Sequence, residues 1–414
     1  MSGPAARGGR TAIALLLVGY SGYYLCRSHL SVCAPLLIAE YGHRGLDKAA
    51  VGAIASAGAL AYAAGKLATG WVADVAGGRR MFLTGIAGAV AGTALFALGG
   101  LPFFTTAWVL NRALQSFGWS SAVRVAGGWY PPARYGAVMG VLSLSYMLGD
   151  SVWRFFLGEL VARGLSWRQV FWVAAGVLAA IGLACALWLR ESPASHASHR
   201  GAPRASGPRE LLAPLLASPA FWSVCLLSFG FTLIRESLDT WSPLFLVEAG
   251  LAPGAAGKAS ALLPMAGGVA VLLVGWWSDR LTAAARPWLL AGGLLLAVPA
   301  LALAGVAGPV SPAAGLALIV VAAFTLLGPY SLLSGAIALD FGGRRGSATA
   351  SAWIDGIGYL GGMLAGGGIG GLAHRFGWQA AFLSLAGVAA AACGAAALYG
   401  RLRQRESDRE VLGT

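Results

Sequence analysis

The chain has 414 residues, 57% of them hydrophobic and 11% charged, with a formal net charge of +13 and a mean hydropathy of +0.71. A water-soluble protein of this length has no interior able to hold that much apolar surface. Composition therefore excludes a soluble globule and predicts an all-α protein that crosses a membrane many times, with lipid rather than nucleic acid around it.

Twelve apolar runs follow one another, at about 11–37, 50–70, 81–100, 103–128, 136–162, 168–189, 220–247, 259–278, 287–306, 312–338, 347–373 and 378–400. The first follows Arg7 and Arg10, as the core of a signal peptide would. No small-residue cleavage site comes after it and it continues to spanning length, so an uncleaved helix is expected. Within it, "GYYLCRSH" (22–29) carries Arg27, which a helix rising 1.5 Å per residue would place ~24 Å from the start of the run, close to mid-bilayer. A charge there costs roughly 3 kcal/mol or more and is rarely kept without a use. Five more cations fall inside runs: Lys66 in the second, Arg112 and Arg124 in the fourth, Arg154 in the fifth and Arg235 in the seventh. The other Lys and Arg residues concentrate on one side, among them Arg79, Arg80, Arg200, Arg204, Arg209, Arg344, Arg345 and the tail arginines from Arg401. By the positive-inside rule both termini are cytoplasmic, in an inner (plasma) membrane.

Between the sixth and seventh runs lies "ESPASHASHRGAPRASGPRE" (191–210), the one long polar interruption. It divides the chain into a six-helix bundle at 1–190, a cytoplasmic linker at 191–218, a second six-helix bundle at 219–402 and a cytoplasmic tail at 403–414. The halves repeat: "GWVAD" (70–74) closes the second run and "GWWSD" (275–279) the eighth, while "SWRQVF" (166–171) opens the sixth and "GWQAAF" (377–382) the twelfth. Parallel repeats of this kind are a transporter architecture with substrate bound near midplane. The repeat pairs Arg27 with Arg235 at matching depth, where two planar guanidinium forks suit a carboxylate or phosphate. The alternative is local pairing with an acid such as Glu236 or Asp239. Asp150 and Arg154 stand i, i+4, which permits a self-paired couple on one helix face. The sharper alternative has Asp150 or Asp355 contact a substrate ammonium or carry a coupling proton. Tyr23, Tyr24, Tyr62, Tyr146 and Trp119 line cavity walls or pack as ordinary core.

All five cysteines lie in apolar runs without metal-ligand spacing. No nucleophile–base grouping, metal motif or phosphate loop is visible, so neither an enzyme nor a cofactor is expected.

"GWVADVAGGRR" (70–80) and its second copy "GWWSDR" (275–280) resemble the cytoplasmic loop signature of the major facilitator superfamily. That resemblance implies a gating role for Asp74, Arg79, Asp279 and Arg280. Further stretches resemble one branch of it, the organophosphate:phosphate antiporters, which include glycerol-3-phosphate and hexose-phosphate carriers. They are "GYSGYYLCRSHLSVCAPLL" (19–37), "AYAAGKLATG" (61–70), "NRALQSFGWSSAVR" (111–124), Arg235 with Trp241-Ser242-Pro243, and "LGPYSLLSGAIALDFGGRRGSATASA" (327–352). The likeness implies that Arg27 and Arg235 clamp an anion, with Lys66 and Arg124 tuning the field around it. The chain departs from the branch at Ser28, which replaces a lysine, at Tyr146, which replaces a histidine, and in the added charges Asp150, Arg154 and Asp355. The expected function is alternating-access transport of a small organic anion, a phosphate ester or phosphonate exchanged for inorganic phosphate, by a monomer. The rivals are a proton-coupled carboxylate or zwitterion transporter and a membrane sensor that binds without carrying.

Overall fold

A computed structural model describes residues 4–130, 132–191, 208–278, 280 and 282–412, and their side chains apart from residues 4–7, 67–76, 132–137, 208–211, 283, 344–348 and 406–412. Every regular element among them is helical. Contacts divide the chain into two compact units, Met1–Ala205 with Ala252–Ala261, and Ser206–Leu251 with Leu262–Thr414. Seven helices are long and apolar enough to cross a membrane by length and composition, among the described residues.

The first unit holds α1 (Pro4–Tyr41), α2 (Lys48–Ala76), α3 (Gly78–Leu98), α4 (Leu101–Gln115), α5 (Phe117–Trp129), α6 (Pro132–Ala162) and α7 (Trp167–Trp188). The fourth apolar run, expected as one span, is two helices. They meet at Ser116, whose Oγ turns back onto the Ala113 carbonyl at 2.6 Å. Helix α6 packs between α1 and α10. On one side Gly149 lets α1 approach so closely that a Cβ there would lie 2.4 Å from Ser21 Oγ, and Trp153 Nε1 donates to the same oxygen at 2.8 Å. On its other side lies α10 (Pro253–Ser260), where a Cβ on Gly158 would meet the Lys258 nitrogen at 2.4 Å. Lys258 Nζ stands 3.1 Å from Glu159 Oε2, and Ser151 Oγ donates to the Ala261 carbonyl at 2.8 Å. This glycine-lined approach is why residues 252–261 group with the first unit, although the apolar pattern runs on past them.

The second unit contains α8 (Pro208–Ala217), α9 (Pro219–Glu248), α11 (Leu262–Ser278), α12 (Arg286–Val310), α13 (Pro312–Tyr330) and α14 (Ala338–Leu412), with a wide helical turn at Leu333–Ile337. Part of the stretch expected as linker is therefore the short helix α8, and α14 continues through the stretch expected as tail. Within α14 the path turns at Gly343 (φ 55°) and Gly377 (φ 78°), left-handed torsions that glycine adopts without steric cost. The turn at Gly377 separates the eleventh and twelfth apolar runs.

The internal repeat has a physical counterpart in each unit. Trp167 Nε1 donates to Glu40 Oε2 at 2.6 Å, and Trp378 Nε1 donates to Glu248 Oε2 at 2.8 Å. In both cases the tryptophan that opens the last helix of the half ties down the end of the first. Glu40, beyond the apolar run of α1, also meets Arg168 at 2.7 Å. Partial burial disfavours its charged form, but the donors Arg168 and Trp167 outweigh it and hold the carboxyl below its usual range. This tie is therefore present at neutral pH and is lost as pH falls through the depressed pKa. We expect Trp167→Phe and Trp378→Phe each to cost about 1 kcal/mol, read as a loss of roughly 2 °C in Tm at neutral pH in detergent.

Candidate functional site

In the first unit three of the described cations gather on one aromatic ring. Tyr62, buried on α2, has Arg27 Cζ at 4.6 Å from its centroid, Arg112 Cζ at 4.7 Å and Lys66 Nζ at 5.7 Å. Arg27 also lies 5.0 Å from the Tyr24 ring. The negative π faces give these cations a partner other than water. Three positive charges on one ring nevertheless repel one another, and an anion among them relieves that repulsion. Tyr24 stacks on Tyr146 at 6.3 Å, Tyr146 meets Trp119 edge-on at 6.1 Å, and Trp119 packs on Tyr20 at 5.2 Å. Tyr62, Tyr146 and Trp119 thus belong to one aromatic wall, joined through Arg27 and Tyr24. Arg124 is placed elsewhere, with its Cβ 3.4 Å from the Cβ position of Gly78 at the start of α3.

Asp150 is buried and paired. Its Oδ2 is 2.9 Å from Arg154 Nε, with both side chains more than nine-tenths buried, and its Oδ1 accepts from Ser28 Oγ. The geometry is that of the self-paired couple on one helix face, extended by a hydroxyl from α1. Both carboxylate oxygens are engaged in this structure, by Arg154 and by Ser28. We expect Asp150→Asn and Arg154→Gln each to cost ~3–5 kcal/mol, the range for breaking a buried pair by removing one partner. The double variant should be more stable than either single, as measured by thermal unfolding of the purified chain.

The second unit treats its arginine differently. Arg235 on α9 places Nη2 2.5 Å from Glu236 Oε1 and Nη1 3.9 Å from Asp239 Oδ2. Its Cζ lies 5.3 Å from the Tyr330 ring, and its Nε is buried with no hydrogen-bond partner among the described residues. The local acids considered as alternative partners are thus the ones observed. Asp355, half-buried, is within electrostatic reach of Tyr330. The two arginines matched by the repeat therefore stand in unlike fields, one among cations and rings, the other between carboxylates.

Of the four residues expected to gate, the side chain of Asp74 and all of Asp279 lie outside the described residues. Arg79 is bound to the end of α7: Nε donates to the Leu189 carbonyl and Nη2 to that of Ala186, both at 2.6 Å. A cation there satisfies terminal carbonyls and complements the negative end of the helix dipole. Its own amide donates to Glu191 Oε1 at 2.9 Å. Arg280 is exposed and stacks 3.8 Å from the centroid of Trp276.

His29, Thr93, Asn111 and Gln115 form a buried polar cluster beside Arg27; the sequence marked Asn111 and Gln115 only as part of the fourth-run motif and passed over His29 and Thr93. Polar residues recurring in the fourth apolar run at i, i+4 were the available signal, since a buried amide requires partners.

A helical two-unit architecture with basic side chains buried at the middle of apolar helices defines a polytopic membrane transporter. The chain belongs to the Major Facilitator Superfamily, whose sequence profile matches residues 16–366. It is 26% identical over 407 residues to the "Probable hexose phosphate transport protein" of Chlamydia pneumoniae, covering 89% of this chain and 86% of that protein. To the "Glycerol-3-phosphate transporter" of Bacillus subtilis it is 25% identical over 406 residues, covering 89% and 87%. Among solved structures it shares its fold with a bacterial homolog of the human lysosomal transporter Spinster, at TM-score 0.76, 20% identity and coverage of 97% and 98%. These are transporters and not enzymes.

Proposed function

We propose that the chain carries a small phosphate ester or phosphonate across the plasma membrane in exchange for inorganic phosphate. It would do so by alternating access of two six-helix bundles, twelve spans in all, as a monomer with both termini cytoplasmic. The observation that carries this reading is the arrangement of Arg27, Lys66 and Arg112 around the Tyr62 ring. Fixed cations close together raise the energy of the empty site and favour a compact, multiply charged anion over a neutral cargo. The printed names of the relatives, hexose phosphate and glycerol-3-phosphate transporters, support the same substrate class. Arg27 supplies the planar fork for two phosphate oxygens, and Lys66 adds a point charge. Arg235 is the second anion ligand, and a phosphate reaching it competes with Glu236 for the same guanidinium. Tyr62, Tyr146 and Trp119 shape the wall, while Arg124 acts on the field from a distance.

The carboxylates beside Arg235 favour a second reading, in which the carried anion also bears an ammonium group and is a zwitterion. Comparison of glycerol 3-phosphate with phosphoethanolamine separates the two, since Glu236→Gln should weaken only the second if the ammonium meets Glu236.

Three measurements test the main reading. In vesicles preloaded with phosphate, the wild type should take up labelled glycerol 3-phosphate or glucose 6-phosphate without a proton gradient. Uptake that requires the gradient and ignores internal phosphate would overturn exchange. Binding without any flux would make the protein a sensor. Arg27→Lys, which keeps the charge and loses the fork, should weaken binding at least tenfold, about 1.4 kcal/mol. For topology, an impermeant thiol reagent applied to intact cells should label Arg44→Cys and leave Ser206→Cys unlabelled.

A further inference from the structure

Arg27 stands immediately after a break in α1. Cys26 has φ −86° and ψ 15°, outside helical torsions, and its carbonyl accepts from Gln115 Nε2 of α4 at 2.8 Å. A side chain inserted into the helical ladder is one of the few causes of a sharp kink. Gln115 is itself held. The same nitrogen donates to Asn111 Oδ1 at 2.5 Å, and its Oε1 accepts from Arg112 Nη1 at 3.4 Å. Asn111 Nδ2 in turn donates to the Ala89 carbonyl at 2.9 Å and to Thr93 Oγ1 at 3.0 Å. Thr93 Oγ1 lies 3.2 Å from His29 Nε2, and the His29 ring stacks on Phe171 at 3.9 Å. On the next residue, Ser28 Oγ donates to Asp150, which Arg154 fixes on α6. The residues directly before and after Arg27 are thus each tied by a buried side chain of another helix, Cys26 by Gln115 (3% exposed) and Ser28 by Asp150 (5% exposed).

We propose that Gln115 and Ser28 are positioning residues for anion binding: they hold the kink at Cys26 and so aim Arg27 across the Tyr62 ring, without touching the ligand. Regular helical torsions at Cys26 would rotate the rest of α1 and turn the Arg27 side chain away from that face. Displacement of a binding group by about 1 Å is enough to cost up to ~100-fold. Buried polar contacts suit this task, because a satisfied network in a low-dielectric interior is stiff. The inference rests on the reading of Arg27 as an anion ligand.

The test uses the purified full-length chain, with glycerol 3-phosphate and inorganic phosphate as probes. Gln115→Leu removes the donor at similar size, and Ser28→Ala removes a single hydroxyl, which keeps the test available if the first variant folds poorly. Each should bind at least fivefold more weakly, and Ser28→Thr should recover affinity to within twofold of wild type. In an Arg27→Lys background neither change should weaken binding further, because an aim that is no longer used cannot be lost twice. A residue with only a structural role would lower Tm and leave the affinities additive. Wild-type affinity in folded Ser28→Ala and Gln115→Leu overturns the proposal, as does additivity with Arg27→Lys, and both leave Arg27 as an anion ligand. Wild-type affinity in Arg27→Lys itself, or a wild type that binds neither probe, overturns the phosphate reading and this proposal with it.

Discussion

A guanidinium in the middle of an apolar helix cannot give up its water without another source of negative potential. That requirement organises both units, and they meet it in different ways. In the first, Arg27 and Arg112 lean on the faces of Tyr62, Tyr24 and Trp108. In the second, Arg235 lies between Glu236 and Asp239 and over Tyr330. An aromatic quadrupole compensates a cation only in part, whereas a carboxylate at 2.5 Å neutralises it.

Holding such charges requires a rigid surround, and in the first unit α6 supplies part of it by packing on α1 and α10. Gly149 admits Ser21 of α1 on one side, and Gly158 admits α10 on the other. Between those two approaches the Asp150–Arg154 couple reaches Ser28, next to Arg27. The ion pair contributes little net stability once its desolvation is counted, but losing either member would strand a buried charge. Its geometric consequence is that it ties the turn of α1 that carries Arg27 to α6. The tryptophan–glutamate ties at the ends of both halves act outside the apolar runs, where water screens them and each contributes less.

Much was legible without coordinates, because a bilayer leaves the chain few choices. Apolar runs of spanning length, the charge bias of the connecting segments and the repeat of "GWVAD" in "GWWSD" are linear properties, and they carried fold class and transporter architecture. The intramembrane cations were equally visible, since each interrupts a run that should hold none. Less visible were the helix breaks inside single runs, at Cys26, Ser116 and Ala261. A break costs little hydropathy, so a window average passes over it.

Partnership was the part that linear reasoning left open. From spacing alone, Asp150 was suited to a substrate or a proton as well as to Arg154, and Arg79 carried no partner at all. Packing brings Ser28 to the second oxygen of Asp150 and the last carbonyls of α7 to Arg79. The repeat likewise matched Arg27 with Arg235 in depth while the folded units gave them opposite surroundings. The sequence by itself determined which charges enter the membrane and on which helices, because the cost of burial is paid residue by residue. Tertiary structure decided what each charge meets there, because electrostatic energy depends on distances of a few ångströms between helices far apart in the chain.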